Sequence, residues 1–136
     1  AFTGFVRELG SWWPREYTWS QSLLEHIAME AKVGGACYEI GPHRFRCDWG
    51  RVTHYSEPEE LAFLWQISPH REPVPDPARA SEVFLSFRES RAGTVVRLEH
   101  RGFENHGNEG AWYRDAMGSP AGWPKMLEDY KAYLEK

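Results

Sequence analysis

Six histidines and two cysteines are the side chains of this chain that could hold a metal ion or activate a nucleophile. Protein metal sites bring such ligands together at spacings such as C-x-x-C, H-x-x-x-H or H-E-x-x-H. None of these spacings occurs, the histidines are dispersed, and no glycine-rich phosphate loop is present. The sequence therefore predicts no metal, no cofactor and no catalytic residue, and it leans against an enzyme without deciding the question.

His100 and Cys47 fall on inward faces of predicted strands, where a polar side chain is either structural or functional. His100 is either a histidine at the edge of the core, bonded to a neighbour, or a polar group that faces a ligand. Cys47 is favoured as a small buried hydrophobic residue, because no base is evident beside it to activate the thiol.

Aromatic residues are the most unusual feature of the composition, at 15% of the chain with seven tryptophans. Such side chains either fill a large core or form the walls of an apolar pocket, and the sequence leaves both readings open. On the pocket reading, inward strand positions and one helix stripe contact the ligand, and Tyr130 is its polar partner. The predicted ligand-binding residues are Trp12, Trp13, Phe45, Trp49, Phe63, Trp65, Leu85, Phe87, Leu98, His100, Trp123, Leu127 and Tyr130.

A sheet must position most of these residues. Alternating hydrophobicity and short connections predict an antiparallel meander of six strands, at 23–31, 35–40, 45–55, 61–67, 81–90 and 94–101. The proline-rich stretch 69–78 between the fourth and fifth strands is predicted as a stiff loop, because proline cannot sit in a central strand.

Helices are predicted at both ends of the sheet. The first covers 1–9 and ends at Gly10, and a short helix over 109–117 is separated from the last one by 118–122. In the last helix Trp123, Leu127, Tyr130 and Leu134 form one apolar stripe. A meander sheet with terminal helices gives the α+β class.

The register of the second and third strands decides the state of the two cysteines. Pairing Tyr38 with Cys47 and Ile40 with Phe45 collects the apolar residues on one face, and burial of one face fixes register. That register places Cys37 and Cys47 on opposite faces, so we expect free thiols and a reducing compartment.

The length, the net charge and the distribution of apolar residues exclude several classes of function. A chain of 136 residues predicts a single domain over 1–136, and a net charge of −4 with scattered arginines predicts no nucleic-acid partner. No stretch reaches the ~20 apolar residues of a membrane span, and the N-terminal segment does not resemble a signal peptide. A cytoplasmic location is the expectation.

Several motifs together resemble the activator of Hsp90 ATPase homologue family of the START/Bet v 1 (SRPBCC) superfamily. The matching residues follow the chain in order: Trp12-Trp13, Gly34-Gly35, the strand from Leu61 to Ile67, the strand from Thr94 to Leu98, Gly102-Phe103, and Gly122-Trp123 with Leu127. The resemblance implies a helix-grip fold, in which a curved antiparallel sheet wraps around a long C-terminal helix and encloses a cavity.

Two departures from that family are visible. Family members begin with a strand before the first helix, and this chain starts inside that helix, so we expect an exposed sheet edge unless a preceding strand or a second subunit covers it. Pro120, with Gly118 and Gly122, interrupts the last helix. Because of that interruption, Trp112, Tyr113 and Met117 are not included in the predicted ligand-binding set.

The resemblance implies a domain that binds a hydrophobic or aromatic small molecule between sheet and last helix. A cyclase- or hydrolase-like enzyme of the same superfamily is the first alternative, and it requires polar groups such as His100 and Tyr130 to converge in the pocket. A chaperone-directed role, as an Hsp90-type ATPase activator, is the other alternative and is ranked below binding. A homodimer remains open.

Overall fold

A computed structural model describes residues 1–135. Within this range one antiparallel sheet is formed by β1 (His26–Met29), β2 (Ala36–Ile40), β3 (Arg46–Ser56), β4 (Glu60–Trp65), β5 (Ser81–Ser90) and β6 (Gly93–Arg101). The strands pair in sequence order, so the predicted meander is confirmed. The α-helices are α1 (Phe2–Val6), α2 (Leu9–Trp12), α3 (Gly110–Met117) and α4 (Trp123–Leu134). The sheet curls against the helices, and the α+β helix-grip class is confirmed.

The first helical segment differs from its prediction at Gly10. The chain bends at Arg7 and Glu8, and α2 then continues through Gly10 to Trp12. A Cβ atom on Gly10 would lie 3.0 Å from the carbonyl oxygen of Ile27. Gly10 therefore permits the close approach of α2 to β1 rather than ending a helix.

The β2–β3 hairpin corrects both the predicted register and the predicted position of Phe45. Tyr38 pairs with Asp48 and Ile40 with Arg46, one residue later on β3 than predicted. The chain makes a tight turn over 42–44, and Phe45 closes it through its carbonyl oxygen, which accepts from the N–H of Gly41 at 2.8 Å. Phe45 thus belongs to the turn, and its side chain is 69% exposed.

A β-bulge explains why Trp49 nevertheless faces inward. Cys37 pairs with Gly50 but the next residue, Tyr38, pairs with Asp48, so Trp49 is an extra residue on β3. Bulges of this kind redirect side chains. Trp49 is 2% exposed and packs its ring 6.0 Å from that of Phe63, whereas an uninterrupted alternation could not bury both Trp49 and Val52.

The two cysteines are free, as predicted, but for a different reason. Cys47 pairs with Glu39, and Glu39 follows Cys37 by two residues, so all three side chains lie on the same face. The predicted placement on opposite faces is therefore wrong. Glu39 and the bulge separate the two thiols, and burial raises the pKa of the Cys37 thiol.

The strands β4, β5 and β6 follow their predicted alternation. Leu61, Phe63 and Trp65 on β4 are buried, and so are Val83 and its i+2 neighbours on β5. The β6 strand lies at the end of the sheet and is only half-buried on its inner face. Its outer edge is unpaired within residues 1–135.

The last helical region is interrupted where Pro120 and its glycines predict. The α3 and α4 helices are separated by 118–122, and a Cβ atom on Gly122 would lie 2.1 Å from the carbonyl oxygen of Met117. The buried stripe of α4 is Trp123, Met126 and Tyr130. Leu127 is half-buried and Leu134 is 41% exposed, so the stripe is rotated toward Met126 relative to its prediction.

Candidate ligand-binding site

A cavity of about 330 Å³ lies between the tryptophans at one end of the sheet and the interrupted helix. Its wall is mainly aromatic and aliphatic, and the exposed side chain of Trp112 marks its opening to the surface. The residues that line it are Trp13, Tyr17, Trp65, Pro69, Arg71, Trp112, Tyr113, Ala116, Met117, Ser119, Ala121, Gly122 and Met126.

The inner wall of this cavity is fixed by a hydrogen-bonded pair from β4 and α3. The indole N–H of Trp65 donates to Tyr113 Oη at 2.6 Å, and Tyr113 Oη donates to the carbonyl oxygen of Ile67 at 2.8 Å. Both side chains are buried, and burial raises the pKa of Tyr113 to about 12. The phenol therefore stays protonated at neutral pH and ties α3 to the sheet.

Two loops close the rim on the opposite side. Tyr17 Oη donates to the carbonyl oxygen of Ala121 at 2.6 Å, which joins the turn at 15–17 to the break between α3 and α4. Arg71 Nη2 donates to the carbonyl oxygen of Tyr17 at 2.6 Å, and Trp19 Nε1 donates to that of Arg71 at 2.5 Å. These bonds connect 15–19, the loop around 71 and the helix break into one rim.

A buried carboxylate that the sequence analysis did not identify holds this rim to the sheet. Glu39 on β2 is 3% exposed. Its oxygens accept from the backbone N–H of Trp19 at 3.1 Å, and from the N–H and hydroxyl of Ser20 at 3.0 and 2.9 Å. A carboxylate that is buried on a strand face needs such donors, so Glu39 is a structural anchor.

His100 is bonded to neighbouring side chains at the edge of the core, which is the structural one of its two predicted roles. Its Nδ1 accepts from the indole N–H of Trp123 at 2.9 Å, and its Nε2 is 2.7 Å from Ser81 Oγ. Since an indole N–H can only donate, Nδ1 carries no proton, and the neutral ring is protonated at Nε2. The Ser81 hydroxyl accepts a hydrogen bond from Nε2–H of His100, and it donates one to Nε2 of His106 at 2.7 Å.

This chain of bonds keeps His100 neutral and away from the cavity. Burial, followed by the proximity of His106, lowers the pKa of His100 to about 3, and burial also lowers the pKa of His106. Ser81 is fully buried, so its hydroxyl cannot reach a substrate. The network fastens the start of α4 to β5 and β6.

Tyr130 also has an internal partner in place of the predicted ligand. Its hydroxyl donates to the carbonyl oxygen of Ala1, and its ring packs 5.3 Å from Phe5 and 5.0 Å from Trp12. The side chain is 3% exposed, and burial raises the pKa of its phenol. The polar contact expected of Tyr130 is thus made within the core.

Apart from Phe45, which is exposed in the β2–β3 turn, the predicted ligand-binding residues fall into a cavity group and a core group. Trp13 and Trp65 line the cavity, and Trp123 stands directly behind them, with its ring 5.3 Å from Trp65. The core group lies in the interface between the sheet and the helices α1, α2 and α4. Phe2 and Phe5 of α1 fill the concave face of the sheet, where the sequence analysis allowed a ligand. The core group comprises Trp12, Trp49, Phe63, Leu85, Phe87, Leu98, His100, Leu127 and Tyr130, of which Leu98, His100 and Leu127 are half-buried.

Several cavity residues were absent from the predicted set. Tyr113, Ala116 and Met117 recur at helical spacing on one face of α3, a signal that the sequence carries. Tyr17 and Arg71 lie in turns and reach the rim only through contacts distant in sequence, 104 residues apart for Tyr17 and Ala121. Periodicity could not have identified them.

A larger groove of about 640 Å³ lies elsewhere, at the start of α1. Its wall includes Glu59, Glu60, Arg88 and Glu89, which are polar and at least partly exposed. Small-molecule sites are concave and mainly apolar, so the smaller aromatic cavity is the better candidate. No group of three or more potential metal ligands occurs within residues 1–135.

The architecture and the cavity together define a helix-grip α+β domain. A family model described as activator of Hsp90 ATPase homolog 1-like protein matches residues 7–135. The chain therefore belongs to that family, as its motifs indicated. No curated protein matches it, and none of the helices formed within residues 1–135 is both long and apolar enough to cross a membrane.

Several solved structures have a similar fold. The anthrahydroquino-gamma-pyrone synthase Txn09, complexed with SUM, is 30% identical over 95% of this chain and 84% of its own, with a TM-score of 0.63. The self-sacrificing resistance protein CalC from Micromonospora echinospora is 22% identical over 98% of this chain and 84% of its own, with a TM-score of 0.61. A protein from Nitrosomonas europaea, at 15% identity, has the same coverage and a TM-score of 0.65. The last two comparisons show the fold alone.

Proposed function

We propose that this domain binds a hydrophobic, aromatic small molecule in the cavity between Trp13, Trp65 and the α3–α4 break. The observation that carries the proposal is the cavity itself. Its volume of about 330 Å³ falls in the range of small-molecule sites, ~300–1,000 Å³. Its wall offers the flat faces of Trp13, Trp65 and Trp112, against which an aromatic ring can stack.

One solved structure that is similar to this chain supports an aromatic ligand. Txn09 is named as a synthase of an anthrahydroquino-gamma-pyrone, a fused aromatic ring system, and it shares 30% identity with this chain. A ligand of that shape matches a wall built from indole rings. We therefore take a tricyclic aromatic ketone as the model ligand.

Binding is better supported than catalysis. The lining residues within 1–135 include no histidine, cysteine, aspartate or glutamate, the usual general acids and bases. The Tyr113 phenol has a pKa of about 12 and both of its hydrogen bonds are made internally. A cyclase-like activity, which the synthase relative favours, would have to act by holding a reactive chain in a productive conformation.

A direct test uses 2-(hydroxymethyl)anthraquinone, an uncharged aromatic probe. We expect one saturable site in isothermal titration, with a dissociation constant in the micromolar range, on the order of 1–100 μM. Tryptophan emission should be quenched over the same concentrations. Absence of saturable binding at the solubility limit of the probe would contradict the proposal.

A further inference from the structure

We infer that the ligand of this cavity is an acidic aromatic molecule, whose carboxylate or ionised phenol binds the guanidinium of Arg71. This inference rests on the proposed function and adds the chemical class of the ligand to it. Arg71 is the single charged side chain among the lining residues within 1–135. A cation on the rim of an apolar cavity stabilises a ligand anion that leaves water to enter it.

The hydroxyl groups of the wall have used their hydrogen-bond donors internally. The hydroxyls of Tyr17, Tyr113 and Ser119 donate to the carbonyl oxygens of Ala121, Ile67 and Ala116. Arg71 differs from them because a guanidinium has five N–H donors, and the Tyr17 carbonyl takes one of them. The remaining donors form a planar fork suited to two oxygens of a carboxylate.

Within the described part of the chain, no carboxylate competes for this cation. None of the ion pairs formed within residues 1–135 includes Arg71. The nearby carboxylate of Glu109 is instead 2.7 Å from Nε2 of His70. Burial raises the pKa of the Tyr113 phenol, whereas the hydrogen bond from Trp65 and the positive charge of Arg71 lower it. Arg71 is therefore electrostatically coupled to the inside of the cavity.

The position of Arg71 is restrained by hydrogen bonds, although the residue is exposed. Its backbone adopts a left-handed conformation with φ of 64°, which residues other than glycine seldom occupy. Its carbonyl oxygen accepts from Trp19, and its guanidinium is anchored on Tyr17. A cation that is held in place loses less entropy when it binds an anion.

The test compares anthraquinone-2-carboxylate with uncharged 2-(hydroxymethyl)anthraquinone by isothermal titration. We expect the wild-type protein to bind the carboxylate about tenfold more tightly at low salt. Arg71→Gln should remove this preference, because it should weaken binding of the carboxylate about tenfold more than binding of the uncharged probe. Salt should weaken binding of the carboxylate alone.

Arg44→Gln is the matched control, because Arg44 is exposed, has a φ of 61° and lies in the β2–β3 turn outside the cavity. The Arg44→Gln variant should keep the full preference for the carboxylate over the uncharged probe. Equal binding of both probes by the wild-type protein would overturn the inference and leave the proposed function intact. Equal weakening of both probes by Arg71→Gln would also overturn it, since Arg71 would then only support the wall. Binding of neither probe would refute the proposed function and the inference with it.

Discussion

Replacing Ala116 by tryptophan should abolish binding of aromatic probes while the protein stays folded. Ala116 is half-buried on the face of α3 that lines the cavity, between Tyr113 and Met117. An indole at this position projects into the space that a ligand would occupy, and helical propensity changes little. We expect the dissociation constant of 2-(hydroxymethyl)anthraquinone to rise at least about thirtyfold, which corresponds to roughly 2 kcal/mol.

Ala111→Trp is the control for this experiment. Ala111 lies on the same helix, is exposed, and is not part of the cavity wall. It should bind the probe like the wild-type protein, and both variants should keep the wild-type melting temperature within a few degrees. Normal binding by a folded Ala116→Trp variant would show that the ligand occupies another place.

Loss of the His100 network is the second prediction with a large effect, and it concerns stability. In His100→Leu the indole N–H of Trp123 loses its acceptor, and Ser81 loses a partner in a fully buried position. We expect the free energy of unfolding at pH 7 to fall by about 2–3 kcal/mol, the cost of leaving buried polar groups unpaired. Urea titration followed by fluorescence measures this difference.

The same network predicts how stability changes with pH. The pKa of His100 is lowered to about 3 in the folded protein, against about 6.5 for an unperturbed histidine. Between these values the unfolded chain binds the additional proton, so stability is fully present above pH 6.5 and is lost as the pH falls. The loss approaches about 1.4 kcal/mol per pH unit, or roughly 2–3 kcal/mol between pH 7 and pH 4.5.

His100→Gln separates the charge from the hydrogen bonds. A glutamine amide can accept from Trp123 and donate to Ser81, yet it does not titrate. This variant should lose less stability at pH 7 than His100→Leu, and its stability should depend less on pH than that of the wild-type protein. The lowered pKa of His106 acts in the same direction and the raised pKa of His70 in the opposite one, but both are common to the proteins compared. An unchanged slope in His100→Gln would contradict the account.

Strands with a regular alternation of apolar and polar residues were predicted reliably from the sequence. The β5 strand, 81–90, coincides with its prediction, since one face of it is buried and nothing interrupts its register. The register of the β2–β3 hairpin was predicted wrongly. The bulge at Trp49 inverts the alternation, and the turn over 42–44 removes Phe45 from the strand. A bulge is set by packing against neighbouring strands, so a period-2 pattern in one chain segment does not reveal it.

The candidate site was predictable in kind but only partly in position. An excess of aromatic residues and the motifs of the family indicated an aromatic-walled site, and Trp13 and Trp65 are part of it. The phenylalanines of α1 fill the central concave face, since Phe2 packs 5.2 Å from Phe87. The remaining cavity lies at one end of the sheet, under loops whose residues Tyr17 and Arg71 meet only in the folded chain.

The most direct test of the account is the NMR spectrum of the seven tryptophan indole N–H groups during titration with 2-(hydroxymethyl)anthraquinone. The indoles of Trp13, Trp65 and Trp112 line the cavity and should shift most, with one common dissociation constant. The indole N–H of Trp12 donates to the carbonyl oxygen of Gly4 in the core, and its chemical shift should not change. Saturable shifts centred on Trp12, or no saturable shift in any of the seven, would contradict the assignment of this cavity as a binding site for an aromatic ligand.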